Sequence, residues 1–148
     1  MTLTREEILA KEPGEELDAL IAEHIFGWRS IKGPKFDYDG PCESNDVIVP
    51  PTITSAEEAF RYMQPKGEIP FAYFVNRGWS TDISSAWEVV ENIISRNMDV
   101  KIYCESMKMN KLFDCVIHEG DVDKVVVSMQ STAPEAICKA ALLAVLNL

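Results

Sequence analysis

The residues best equipped for chemistry cluster where Asn76, Arg77 and Trp79 lead into Ser80-Thr81-Asp82. A helix beginning there offers free backbone amides and a partial positive charge to an anion. Arg77 can engage a phosphate through charge-assisted hydrogen bonds, and Trp79 can stack on a base. With Trp28 as a second indole, the candidate ligand-binding set is Trp28, Arg77, Trp79, Ser80, Thr81 and Asp82, and its parts suit a small nucleotide. Two features weigh the other way: Asp82 puts a negative charge in the same turn, and helix capping alone accounts for Ser80 to Asp82.

Other chemistry is sparse. The chain has no Gly-rich phosphate loop, no Gly-x-Ser-x-Gly elbow, no His-Glu-x-x-His and no closely spaced Cys-His pair, so no catalytic residue is expected. Asp37 with Asp39 and Asp121 with Asp123 are paired carboxylates, but both pairs lie in Gly-containing turns where Asp is favoured for local hydrogen bonding. Calcium needs six or more oxygen ligands, which neither turn supplies. Cys42, Cys104, Cys115 and Cys138 form no Cys-x-x-Cys pair and are joined only by His24 and His118, so neither metal nor cofactor is expected. The cysteines read as free thiols packed as small hydrophobes.

The element that must position the candidate set is the helix following Trp79. Ile83, Ala86, Trp87, Val90 and Ile94 recur at helical spacing and are expected to form its buried face, with Asn97 as the left-handed residue after its end. Trp28 is positioned by a helix from about Glu15 to Phe26, with Leu17, Leu20, Ile21, His24 and Ile25 on one face and Gly27 closing it. Trp28 there can lid the core or stack on a ligand. Before that helix, Thr4-Arg5-Glu6-Glu7 is a capping box for a short helix that Pro13-Gly14 interrupts.

Residues 33 to 79 hold six of the eight prolines and four of the seven glycines, so they read as a Pro/Gly-rich insertion of short pieces. Within them, Asp46 to Val49 reads as a strand, Ser55 to Glu58 as the capped start of a brief helix with Phe60 and Met63 inward, and Ile69 to Val75 as an aromatic edge strand. Three segments, about Val100 to Glu105, Lys111 to Glu119 and Lys124 to Gln130, have links too brief for crossovers and predict an antiparallel meander. A turn centred near residue 109 or 110 would set Cys104 opposite Cys115. Thr132-Ala133-Pro134-Glu135 caps a last helix through Leu146, apolar nearly all round except Lys139, with Ala136, Ala140 and Ala144 permitting close approach.

At 148 residues and 47% apolar content, one domain over residues 1–148 is expected. No apolar run reaches the ~20 residues of a membrane span, and the acidic N-terminus is unlike a signal peptide, so a soluble cytoplasmic protein is expected. Net charge is −10, half of it within residues 1–23. Such a surface repels nucleic-acid backbones and anionic membranes, which excludes long nucleic acid and membranes as partners. The last helix and Ile69 to Val75 offer enough apolar surface to suggest a homo-oligomer.

Three stretches carry a resemblance: Leu17 to Trp28 with its Gly-Trp ending, the helix from Ser80 to Ile94, and Ala136-Ile137-Cys138-Lys139-Ala140-Ala141-Leu142-Leu143-Ala144. Together they cover about a third of the chain and resemble the phage ABA sandwich domain, a family of small phage and prophage proteins with no established activity. The resemblance and the segment order imply an α+β fold, a three-layer αβα sandwich with a mostly antiparallel sheet. They imply a phage or prophage protein working in the bacterial host cytoplasm. Two functions stay open. One is a non-enzymatic binding protein that captures a small nucleotide-like host molecule, such as a defence signal. The other is an acidic interaction module acting on a host or phage protein. An enzyme is a weaker third.

Overall fold

The structure, a computed structural model, describes residues 2–32, 46–54, 58, 78–107 and 110–148. Its order is α1 (Arg5–Ala10), α2 (Glu15–His24), β1 (Arg29–Lys32), β2 (Asp46–Val49), α3 (Ile83–Ser95), β3 (Asp99–Met107), β4 (Asn110–Glu119), β5 (Val122–Gln130) and α4 (Ala133–Leu146). Every strand pairing among the described residues is antiparallel, as β1-β2 and β3-β4-β5. The α+β class and the antiparallel meander are therefore as expected. Among the described residues the helices gather on one face of the three-stranded sheet.

Local capping chemistry sets the helix starts. Thr4 accepts from the Glu7 N–H while Glu7 accepts from the Thr4 N–H, so both partners of the capping box are engaged. Thr132 caps α4 by accepting from the Glu135 N–H, with proline in the first turn. Asn147 ends α4 and Asn97 follows α3, both in the left-handed region. Thr54 donates its N–H and its hydroxyl to Glu58. The helix expected after it, with Phe60 and Met63, and the strand expected at Ile69 to Val75 lie outside the described residues.

The core is organised around α4, which is buried from Pro134 to Ala144. It packs on β4 and β5, on α3 beside it, and on α2 and α1 beyond. Ala136, Ala140 and Ala144 are all buried, which allows these close approaches. From the sheet, Cys115 and Ile117 of β4 and Val125 and Val127 of β5 point into this cluster, with Val100 and Ile102 of β3 partly buried against it. From Pro134 to Ala144 the helix expected to offer apolar surface to an oligomer is buried within the chain itself.

Buried Lys139 is fully satisfied. Its ammonium donates to Glu135 at 3.0 Å, to the Leu9 carbonyl at 2.9 Å and to Gln130 at 3.0 Å. Strand register differs from expectation by a small step with a large result. Met107 pairs with Asn110, so Cys104 faces Phe113 and Cys115 faces Ile102. The two thiols are not cross-strand neighbours, because only residues 108 and 109 separate the paired ends. At β5 the Arg5 guanidinium donates to the Val126 carbonyl, and it also donates to the Leu148 carbonyl.

Candidate functional site

Gly78 takes a positive φ of 74°, a conformation open to glycine, and its carbonyl accepts from the N–H groups of Thr81 and Asp82. This tight turn sends Trp79 inward. Trp79 is only 2% exposed, stacked on Phe26 at 4.9 Å between ring centroids and edge-on to Trp28 at 5.5 Å. Its indole N–H donates to Glu88 at 3.1 Å, and its carbonyl accepts from the Cys138 thiol at 3.2 Å. Trp79, expected to offer its ring to a base, is instead packed within the core. The turn is tight enough to drive the ring beneath α3, where aromatic partners from the end of α2 receive it.

Ser80 is buried too, and it serves α2. Its hydroxyl accepts from the Gly14 N–H at 2.9 Å, and its own N–H donates to Asp18 at 2.8 Å. Of the three expected caps only Asp82 acts as one, accepting from the Ser85 N–H and hydroxyl. Thr81 is exposed, and Arg77 and Asn76 lie outside the described residues. The junction therefore brings together Trp28, Trp79 and Ser80 as a clasp between α2 and α3.

Asp18 is the residue that sequence reasoning missed. It sits at an inward position, between Leu17 and Ile21, and an acid on that face is the signal that was available. Burial raises its pKa above the ordinary 3.8, opposed by hydrogen bonds from the Ser80 hydroxyl, the Ser80 N–H and the Gly78 N–H; nearby Glu15 adds to the rise. The folded protein thus holds this proton to higher pH than the unfolded chain does. The stability it contributes is full below 3.8 and is lost as pH rises through the folded-state value. Asp18→Asn, neutral throughout, is expected to gain stability relative to the native chain as pH rises across that window, apart from a constant offset. Urea unfolding at a series of pH values checks the sign, and a flat difference would mean that Asp18 ionises as freely as in water.

Among the described residues the other chemistry-bearing side chains are spread across several elements of the fold. Burial pushes the Cys115 thiol up to about 12 and Cys138 well above its usual range, so both are poor nucleophiles at neutral pH. Cys104 is exposed, and Cys42, Asp37 and Asp39 lie outside the described residues. Asp123 pairs with His118 Nδ1 at 2.6 Å across the β4–β5 hairpin, and His118 Nε2 is buried with no hydrogen-bond partner among the described residues. Among the described residues no group of three or more potential ligands could hold a metal, and no helix is long and apolar enough to cross a membrane.

What α3 does present is apolar. It buries Ala86, Val89, Val90 and Ile93, and leaves Ile83 50%, Trp87 51% and Ile94 52% exposed. This corrects the expectation that Trp87 belongs to the buried stripe. The apolar arc of α3 is wider than one face, and Val89 and Ile93 turn its centre toward α4. Ile83, Trp87 and Ile94 are left as a ridge along one side of the helix.

Comparison with known proteins fits this architecture. A family model for the phage ABA sandwich domain matches residues 19–142. The crystal structure of a phage protein from Bacillus cereus ATCC 14579 is similar, with 28% identity and a TM-score of 0.51 over 92% of this chain and 94% of that one. No curated protein matches the chain.

Proposed function

We propose, from the premise that this chain belongs to the phage ABA sandwich domain family, that it is a non-enzymatic protein-interaction module acting on a host or phage protein. The observation that carries this reading is the ridge of Ile83, Trp87 and Ile94, three large apolar side chains left about half exposed on one helix. A contiguous exposed apolar ridge is a mark of an interaction surface, and tryptophan is among the residue types most enriched at the energetic centre of interfaces. The strongly acidic surface adds long-range steering toward a basic partner.

Capture of a small nucleotide-like molecule, an anti-defence role, is less well supported by the geometry. Trp79 is almost wholly buried and stacked on Phe26, so a base could reach its ring only by displacing packed side chains. Recovery of the protein from infected cells, with mass spectrometry of both released small molecules and co-purifying proteins, separates the two. A specific protein partner and no ligand is the expected result. A stoichiometric small molecule would overturn it.

A further inference from the structure

We infer that the ridge on α3 is a docking face for a basic amphipathic helix of another protein; this rests on reading the chain as an interaction module. Ile83, Trp87 and Ile94 stand at i, i+4 and i+11, so they run about 16 Å along the helix at ~1.5 Å per residue. The α3 backbone is already hydrogen-bonded within its own helix and has no edge to offer a strand. Recognition there must be side chain to side chain, as when one helix lays an apolar stripe against another.

Charge chooses the occupant. From Ile83 to Ser95 the helix carries Glu88 and Glu91 and no basic residue. Arg96, just beyond it, is engaged by Asn92 and by the Ile25 carbonyl. On the helical wheel Glu91 lies beside the ridge, about 40° from Trp87 at ~100° per residue. A second copy on this face would bring acidic helix against acidic helix about a two-fold axis, in a chain of net charge −10. An anionic membrane surface is repelled for the same reason. A partner helix with leucine-like residues on one side and lysine or arginine flanking them meets both the apolar and the electrostatic requirement.

The test uses the full chain and two synthetic helices of about 18 residues, five turns, one of Leu and Lys and the other of Leu and Glu. The Lys peptide is expected to bind and to shift Trp87 emission to the blue. Trp87→Ala should weaken labelled-peptide binding about tenfold or more. Ile94→Ser should do so more mildly, and Glu91→Lys should weaken it several-fold and flatten its salt dependence. The Glu peptide should not bind. Equal binding of both peptides overturns the inference, as does native affinity in Trp87→Ala. Trp87 already shielded from acrylamide in the free protein overturns it too, because another segment or a second copy would then hold the ridge. Failure here is distinguishable from failure of the broader reading. If Trp87→Ala still captures the same cellular protein as the native chain, the module stands and this face falls; if cells yield only a small molecule, the module itself falls.

Discussion

Trp79→Ala is expected to destabilise the fold by about 3–5 kcal/mol, the range for truncating a buried aromatic side chain. The ring is almost wholly buried, and its removal empties the space between Phe26, Trp28 and α4, where the Trp79 carbonyl receives the Cys138 thiol. Glu88 is exposed and can take water in place of the lost indole N–H, so the cost is one of packing. Trp87→Ala should cost at most about 2 kcal/mol, since half of that indole is already in water and alanine gains some helix propensity. Urea unfolding followed by far-ultraviolet circular dichroism measures both. Equal losses would place the two indoles in equivalent surroundings and contradict the burial described above.

The second large effect lies at Lys139. Removing its ammonium with Lys139→Ala leaves Glu135, itself buried, without its counter-charge, and strands the Leu9 carbonyl and Gln130. Breaking one side of a buried pair is expected to cost about 3–5 kcal/mol. Replacing both partners, with Glu135→Leu and Lys139→Met, should recover much of that, because no unpaired charge stays behind. The Leu9 carbonyl still loses its donor, which sets a residual cost of roughly 1–3 kcal/mol. A single variant as stable as the native chain would mean that water reaches Glu135.

What the sequence made legible was chemistry that acts over three or four residues. Thr4 with Glu7, Thr132 with Glu135, Asn97 after α3 and the brief links of the meander all declare themselves locally, and the structure has each of them. The family followed from three such stretches. What stayed hidden was decided across the chain. Ser80 and Asp18 meet from 62 positions apart. The apolar arc of α3 has two admissible centres, and only the position of α4 selects the one that buries Val89 and Ile93 and exposes Trp87. Exchanging the environments of Trp79 and Trp87 moved the candidate surface from the start of the helix to its side. β1 gave no signal because Arg-Ser-Ile-Lys becomes a strand only by pairing with β2.

The central place of α4 also governs the order of events during synthesis. It follows every other described element in sequence, yet each of them except β1 and β2 rests against it directly. While a ribosome is still adding residues 133–146, the inward faces of α1, α2, α3 and the meander have nothing to close upon. Proteins generally fold as whole units once their segments emerge at about 5–20 residues per second. Here the unit is not complete until its last helix has appeared. A chain halted before residue 133 would therefore yield no smaller working version, only an acidic polypeptide with its apolar side chains open to chaperones and proteases.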